Sequence, residues 1–314
     1  MRWLDEVLYH EDHIRRPDKP QAAGAQIDIV AAAERGDPQF QQMVGERCYN
    51  SGDYICAADW FRRAADQGNV KAQLMLATLY DSGKGIEQDY DEAVRWYKVA
   101  GESGLAEAQY NLGLHHRDGL GVEQNSIGAV FWFTKAAEGG HPDAQYELAR
   151  CYSSGKGVDK NEEVAAEWLK RAASRNHRNA LFSLGTAYYE GIGVKEDAVI
   201  AVSLFMSAAE AGHRDAQFYL GACYSKGEGV PEDESEAAKW YKAAAEQGEL
   251  TAQFNLSVAY FSGYGVLLDR IEAHKWASLA ATGGYPGAQK MLDKGGNVLS
   301  PDQIAEAQLR AANL

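Results

Sequence analysis

Residues 216–248 read AQFYLGACYSKGEGVPEDESEAAKWYKAAAEQG, and this pattern returns along the chain in steps of 36 residues, from about Gly68 to Gly284. Its marks are Ala-Gln-Phe-x-Leu-x-x-x-Tyr, Gly-x-Gly-Val, Ala-x-x-Trp and Ala-Ala-x-x-Gly. The tyrosine position holds Tyr80, His116, Tyr152, Tyr188, Tyr224 and Tyr260, and the tryptophan position holds Trp96, Trp132, Trp168, Leu204, Trp240 and Trp276. A register kept over six copies predicts a solenoid, because each unit is too small to bury its apolar face alone.

Each unit is predicted to be an antiparallel pair of helices. Ala72, Leu76 and Tyr80 share one face of a first helix, and Trp96 and Ala100 share one face of a second. Small residues in the first helix would let the second approach closely, and tryptophan or leucine in the facing slot would fill the gap between units. These small residues are Ala77, Gly113, Ala149, Gly185, Gly221 and Ser257. The fold class is therefore an all-α solenoid.

The loop inside each pair carries its own signals. Its glycines permit a positive φ at the end of the first helix, and the valine or isoleucine after them pins the loop to the core. Three positions later comes an acidic or amide residue suited to the N-cap of the second helix. These residues are Asp89, Asn125, Asn161, Asp197, Asp233 and Asp269.

The two ends depart from the repeat. Residues 1–35 are interpreted as a leader that runs into a partial helix, and residues 36–284 as seven helix pairs, of which the first lacks the Gly-x-Gly loop. Residues 285–314 hold a partial eighth unit and a capping helix. That last helix should begin with Ser300 as N-cap, Pro301 as its first residue and Gln303 closing a capping box.

The pattern resembles the Sel1-like repeat family, a relative of the tetratricopeptide repeats, over roughly residues 36–292. The resemblance implies a right-handed superhelix of helix pairs that serves as an adaptor rather than as an enzyme. In helix-pair solenoids the first helices line the concave surface, so a partner would be expected there.

Charge limits the classes of partner. The chain of 314 residues has 45 acidic and 31 basic residues and a net charge of −14, so nucleic acid and anionic membranes are not expected. The acidity either keeps an extended protein soluble or matches a basic partner. The N-terminus lacks the apolar run of a secretory signal, which indicates a cytoplasmic protein. A chain from which a signal had been removed would look the same, so a periplasmic or secreted protein stays open.

The four cysteines are too few for a disulfide framework. Cys151 and Cys223 stand in a slot just before the repeat tyrosine, where a small apolar side chain fits, so buried thiols are expected. Cys48 shares this slot, but Cys56 lies eight residues later across a helix-to-helix turn. A hairpin disulfide between Cys48 and Cys56 is geometrically feasible.

No catalytic constellation, metal site or cofactor site is predicted. Gly-x-Gly follows a helix rather than a strand, and Ser153-x-x-Lys156 lies in that same loop without a partner motif. The stretch His10-Glu11-Asp12-His13 is interpreted as a solvated polar run rather than a metal site. His116 replaces a repeat tyrosine, and a hydrogen-bonded imidazole in the tyrosine pocket is the favoured interpretation.

Binding residues are sought where the copies disagree. Four slots lie on one stripe of the first helices at i, i+4, i+7 and i+11, and their contents vary. The predicted partner-binding residues, all in the proposed concave groove, are Asn111, Leu114, Asp118, Asp143, Glu147, Arg150, Ser183, Glu190, Tyr219, Lys226 and Asn255. Variable slots are equally explained as unconstrained solvent positions.

The sequence thus predicts a non-catalytic scaffold whose groove holds a peptide or protein segment, with a basic segment as one option. An inhibitor or immunity protein that wraps a partner enzyme or toxin is the alternative. Under the first hypothesis, charge reversal at Glu147 and Asp143 should weaken partner binding and leave the fold unchanged.

Overall fold

The computed structural model describes residues 28–313 and contains helices only, with no strand among those residues. The seventeen helices are α1 Ile29–Glu34, α2 Pro38–Asn50, α3 Tyr54–Asp66, α4 Val70–Ser82, α5 Tyr90–Glu102, α6 Ala106–Asp118, α7 Ser126–Glu138, α8 Pro142–Ser154, α9 Glu162–Ala173, α10 Arg178–Glu190, α11 Ala198–Glu210, α12 Arg214–Lys226, α13 Glu234–Glu246, α14 Leu250–Ser262, α15 Arg270–Thr282, α16 Ala288–Gly296 and α17 Pro301–Ala312. Each helix packs chiefly on its neighbours along the chain, which is typical of a solenoid. The all-α solenoid is confirmed.

The helices group into seven repeats. Repeat 1 consists of α2 and α3, repeat 2 of α4 and α5, and so on to repeat 7 with α14 and α15. The first helix of each repeat is called the A helix and the second the B helix.

Within a repeat, the A helix offers a small residue to an aromatic ring of the B helix. A methyl group on Gly185 would lie 2.7 Å from the ring of Phe205, and one on Gly221 would lie 2.8 Å from the ring of Tyr241. The ring that needs this space belongs to the residue after the tryptophan position. The expectation that the tryptophan itself faces the small residue is therefore wrong, because one residue along a helix turns a side chain by about 100°.

In repeats 2 to 7, the Gly-x-Gly loop contacts the repeat before it. The first glycine, such as Gly191, adopts a left-handed conformation (φ 70°) and ends the A helix. The second, such as Gly193, also has positive φ, and any side chain there would clash with the backbone carbonyl of Glu162, at the start of the preceding B helix. The loop can approach this closely only because the second residue is glycine.

A buried glutamine makes a second connection between repeats. Gln109 Nε2 donates to the carbonyl of Gly101 at 2.8 Å, so it satisfies a C-terminal carbonyl of the preceding B helix. Gln73, Gln145, Gln217 and Gln253 make the same bond to the preceding B helix, and Gln41 makes it to Ala33 of α1. These bonds explain why Ala-Gln belongs to the repeated pattern.

The predicted helix starts are confirmed. Each of the six acidic or amide residues that follow the Gly-x-Gly loops caps its B helix by accepting a backbone N–H bond. Ser300 and Gln303 form the expected capping box at the start of α17. The last helix packs on α15, where Arg310 bonds Glu272 at 2.7 Å.

The structure joins Cys48 in α2 to Cys56 in α3 by a disulfide, with their Cα atoms 5.8 Å apart. Cys223 is a buried free thiol, and Cys151 is a half-buried one.

Replacing Gly193 by alanine should destabilise the fold far more than replacing Gly212. Both glycines have positive φ, near 68° and 79°, but only Gly193 faces the backbone of another repeat. We expect a loss of about 3 kcal/mol for Gly193→Ala, against about 1 kcal/mol for Gly212→Ala, which carries the conformational cost alone. Urea unfolding followed by circular dichroism measures both, and equal losses would contradict this role of the second glycine.

Candidate binding groove

Equivalent open clefts lie at three interfaces between successive repeats, between the C-terminal halves of the A helices and the first turns of a B helix. Two other pockets have different linings: one of about 290 Å³ lies at the starts of α10 and α12, and one of about 390 Å³ lies beside the Gly-x-Gly loop of repeat 5. Cleft 3/4, between repeats 3 and 4, has a volume of about 400 Å³. Cleft 4/5 measures about 190 Å³ and cleft 6/7 about 300 Å³. Their lining residues are equivalent by the repeat: Ser153, Glu162, Ser183 and Ile192 of cleft 4/5 match Ser225, Glu234, Asn255 and Tyr264 of cleft 6/7.

Cleft 4/5 has an apolar floor and a charged rim. Ala166, Leu169 and Ala187 lie in its floor. At the rim, the carboxylate of Glu162 accepts a bond from Ser153 Oγ at 2.9 Å and pairs with Lys160 Nζ, also at 2.9 Å. Glu190, at the end of α10, is exposed and makes no ion pair with any residue from 28 to 313. The rim therefore carries one neutralised carboxylate, one free carboxylate and the guanidinium of Arg150, which is paired with Glu147.

Cleft 6/7 repeats this arrangement with other side chains. Ala238, Val258 and Ala259 supply apolar surface, and Tyr264 reaches in from the Gly-x-Gly loop. Glu234, the first residue of α13, takes the place of Glu162, and within the described chain it has no ion-pair partner.

Between repeats 5 and 6, the place equivalent to clefts 4/5 and 6/7 is filled by Tyr219. Its ring lies 5.6 Å from Phe182, 6.3 Å from Tyr189 and 5.3 Å from Phe205, measured between ring centroids. The residues equivalent to these three partners, one repeat earlier, are Tyr146, Ser153 and Leu169, and all of them line cleft 4/5. Tyr219 thus occupies the space that is open in the neighbouring interface.

The interface between repeats 2 and 3 is filled by His115, which is only 3% exposed. Its Nδ1 bonds the carbonyl of Leu120 at 2.8 Å, and its Nε2 lies 3.4 Å from a carboxylate oxygen of Asp81. Because a carbonyl only accepts, Nδ1 carries a proton. The rings of Tyr90 and Tyr97 flank the imidazole at 6.0 and 5.4 Å.

Two slots decide whether a cleft is open. The Ala187 slot holds Leu79, His115, Cys151, Ala187, Cys223 and Ala259, and the Ser183 slot holds Met75, Asn111, Glu147, Ser183, Tyr219 and Asn255. A large side chain in either slot, as with His115 or Tyr219, fills the interface. The interface stays open when the Ala187 slot holds a small side chain and the Ser183 slot holds a small or medium-sized one.

A family model described as Sel1 repeat matches residues 39–69, 70–105, 106–141, 142–177, 178–213, 214–249 and 250–285. The chain belongs to the Sel1 repeat family. Each match spans one A helix and one B helix, so the predicted resemblance is confirmed repeat by repeat. Sel1 repeats form a scaffold fold that generally mediates protein–protein interaction, and proteins built from them are typically non-catalytic.

Two solved structures show the same architecture. A protective antigen from uropathogenic Escherichia coli strains, which displays an SLR fold, is 32% identical with a TM-score of 0.83, over 91% of this chain and 63% of that chain. A Sel1 repeat protein from Oxalobacter formigenes is 34% identical with a TM-score of 0.71, over 85% of this chain and 78% of that one. The chain thus spans less than two thirds of the E. coli structure. The comparison with curated proteins gives no match.

The Sel1 repeats bring together only some of the predicted binding residues. Arg150, Ser183 and Glu190 line cleft 4/5, Glu147 and Arg150 line cleft 3/4, and Asn255 lines cleft 6/7. Asn111 and Leu114 are half-buried, Tyr219 fills an interface, and Lys226 is exposed, 3.7 Å from Glu228. Whether any of them binds a partner stays a prediction.

Three of the predicted acidic residues have internal partners. Glu147 lies between Arg117, at 3.3 Å, and Arg150, at 3.0 Å, with only 13% of its side chain exposed. Two bonds of 2.8 Å from Arg117 hold the pKa of Asp118 below its ordinary value. The bond between His177 Nε2 and Asp143 Oδ1, at 3.1 Å, likewise holds the pKa of Asp143 below its ordinary value.

Charge reversal at Glu147 is therefore a poor test of binding, contrary to the sequence-based expectation. A lysine there would stand beside Arg117 and Arg150 in a partly buried place, and an uncompensated cluster of like charges destabilises the fold. Loss of binding would then report damage to the interface between repeats 3 and 4.

The interpretation of His116 is also corrected. Its Nδ1 is buried without a hydrogen-bond partner among the described residues, and burial lowers its pKa. The hydrogen-bonded imidazole is that of His115, one residue earlier. Position alone could not distinguish them, because both lie on the same helix turn.

The sequence did not reveal the contribution of the B helices and loops. Glu162 and Glu234 begin B helices, and Ile192 and Tyr264 lie in Gly-x-Gly loops, yet all four line clefts. The sequence does carry one signal for the open clefts: the size of the side chain in the Ala187 slot varies from alanine to histidine, so the slot is more than a place for small apolar side chains.

Across residues 28–313, no helix is long and apolar enough to cross a membrane, and no group of three or more His, Cys, Asp or Glu residues is arranged to hold a metal. The run His10-Glu11-Asp12-His13 lies outside the described residues.

The buried His115 should make stability depend on pH. Burial alone lowers its pKa, but the bonds with Asp81 and Leu120 outweigh burial and raise it. Because the pKa of His115 is raised in the folded protein, protonated His115 contributes its full stabilisation below the pKa of the unfolded chain, near 6.5. This stabilisation is lost as the pH rises through the pKa of the folded protein. We compare the wild type with His115→Leu, since leucine fills the same slot in repeat 2.

The difference in free energy of unfolding between these two proteins should be larger at pH 5.5 than at pH 8.5. Urea unfolding at both pH values measures it. A difference that does not change with pH would show that His115 acts by packing alone.

Proposed function

We propose that this Sel1 repeat protein is a non-catalytic scaffold that binds an extended segment of a protein partner along the face of the A helices. The observation that carries the proposal is the recurrence of open clefts at equivalent places on that single face. Clefts that repeat with the solenoid suit a ligand that also repeats, such as an extended chain, better than one compact molecule.

The chemistry of the clefts supports a binding role rather than catalysis. Arg150 is held by two bonds to Glu147, of 3.0 and 3.1 Å, and Glu162 by Ser153. Such groups fix the shape of the rim, and the floors between them are apolar. Shallow apolar floors with a few placed polar groups are typical of recognition sites.

We further propose that the partner segment is basic. The chain has a net charge of −14, and Glu190 and Glu234 present carboxylates that the described residues do not neutralise. Acidic surfaces speed encounter with basic partners and disfavour acidic ones. The interaction should therefore weaken as salt rises.

A pair of matched variants tests the binding face. Peptides are first selected from a random linear library against the wild-type protein, and their affinities are measured by fluorescence anisotropy. Val258→Arg places a cation in cleft 6/7, whereas Val199→Arg places it on α11, where the side chain is 66% exposed. We expect about a tenfold loss of affinity for Val258→Arg and almost none for Val199→Arg.

Equal effects of the two variants would contradict binding on the A-helix face. If no linear peptide binds but a folded enzyme or toxin does, the segment-binding proposal is wrong and the inhibitor or immunity role is favoured.

For the compartment, we propose an oxidising one, periplasmic or extracellular, on the strength of the pair Cys48–Cys56. Disulfides persist in such compartments and are rare in the cytosol. The link joins α2 to α3 in repeat 1, which lacks the Gly-x-Gly loop of the other repeats.

Thiol counting tests this assignment. Protein isolated from its native compartment and alkylated under denaturing conditions without reductant should gain two adducts, at Cys151 and Cys223, and four after reduction. Intact mass spectrometry counts the adducts. Four adducts without reductant would place the protein in a reducing compartment.

A further inference from the structure

We propose that clefts 4/5 and 6/7 are paired subsites for two long cationic side chains, lysine or arginine, of one extended partner segment, held apart by the ring of Tyr219. This inference rests on the proposed function and specifies the ligand of the same face. It follows from three features: the apolar floors, the carboxylates at the rims, and the filled interface between the two clefts.

The floors suit the aliphatic part of a long side chain. In cleft 4/5 the floor consists of small or branched apolar residues, among them Ala166, Leu169 and Ala187. The floor of cleft 6/7 consists of similar residues, among them Ala238, Val258 and Ala259. Lysine and arginine bury their methylene stems on apolar surface while the charged head stays at the edge. A narrow cleft with an apolar floor and an acidic rim matches that shape.

The rims suit the charged head. Glu190 is the last residue of α10, where the helix dipole disfavours a negative charge. A cation bound there would compensate both the carboxylate and the dipole. Glu234 stands free at the equivalent of Glu162, which in cleft 4/5 is paired with Lys160. Each cleft therefore offers one carboxylate without an internal cation, Glu190 at the end of an A helix and Glu234 at the start of a B helix.

Cleft 3/4 is excluded as a cation subsite, although it is the largest of the three. Arg117, Arg150 and Lys156 all line it, against the single carboxylate of Glu147, whereas cleft 4/5 is lined by Arg150 alone of these cations and by two carboxylates. An incoming lysine or arginine would meet like charge there. The sequence therefore provides two acidic clefts rather than three.

Tyr219 sets the spacing between the subsites. Because it fills the interface between repeats 5 and 6, the two acidic clefts are two repeats apart. If each repeat advances the row of A helices by about one interhelical spacing, roughly 10 Å, the two clefts lie about 20 Å apart. An extended chain spans that distance in about six residues. Residues i and i+6 of an extended chain point to the same side, as the pairing requires.

The probes are fluorescein-labelled peptides of about twelve residues, rich in serine, threonine and valine. One peptide has two arginines six residues apart, two control peptides replace one arginine each by glutamine, and a third control has arginines three residues apart. Anisotropy at low salt should give the first peptide at least a tenfold higher affinity than any control, because the second cleft is engaged intramolecularly.

Variants of the full chain assign each subsite. Ser183→Tyr and Asn255→Tyr fill clefts 4/5 and 6/7 with the residue that repeat 6 carries in the same slot. Each should reduce the affinity of the two-arginine peptide to that of a one-arginine peptide, and the double variant should abolish binding. Ser203→Tyr, on the exposed side of α11, is the matched control and should change affinity less than twofold.

Glu190→Gln and Glu234→Gln test the charge without changing shape, and each should flatten the dependence of affinity on salt. Circular dichroism and thermal midpoints show that all variants are folded.

The outcomes separate this inference from the general proposal. If library peptides bind the A-helix face without basic residues, and neither tyrosine variant weakens them, the paired cationic subsites are wrong while the scaffold function stands. A two-arginine peptide that binds no better than its one-arginine controls also overturns the pairing. If Val258→Arg has no effect on any selected peptide, the proposed function itself fails.

Discussion

The structure depends on the close approach of each Gly-x-Gly loop to the backbone of the repeat before it. The second glycine, as at Gly193 against Glu162, leaves no room for a side chain, so the distance between repeats is set by backbone contact. The buried glutamines add a hydrogen bond to the C-terminus of the preceding B helix. Because these contacts recur, they define a uniform spine on which side chains can vary without changing the stacking.

Variation on that spine produces the candidate site. From the interface between repeats 2 and 3 to that between repeats 6 and 7, an equivalent small space lies among the preceding A helix, its B helix and the following A helix. His115 or Tyr219 fills it, and the combinations of Ser183 with Ala187 and of Asn255 with Ala259 leave it open. One architectural rule thus accounts both for the stability of the filled interfaces and for the chemistry of the open ones.

Much of the fold could be predicted from the sequence, because its determinants are local and repeated. Helix pairs, the glycine caps, the N-caps such as Asp197 and the capping box at Ser300 each depend on a few adjacent residues. The site was less predictable, because its contacts join different repeats. The slot of Glu147 varies between repeats as an exposed surface position would, yet Arg117, 30 residues earlier, pairs with the Glu147 carboxylate. Likewise, the slot pattern shows that Tyr219 is unusual but not that its ring closes a cleft.

The slots that stay constant between repeats build the spine, and in our proposal the two acidic clefts left by the variable slots receive a basic partner segment. A crystal structure of the protein with a bound arginine-containing peptide tests it most directly. We expect an extended peptide on the A-helix face, with one cationic side chain beside Glu190 and another beside Glu234. The ring of Tyr219 should stay in place between these two side chains. A peptide bound on the B-helix face, or one whose cationic side chains point away from both clefts, would contradict it.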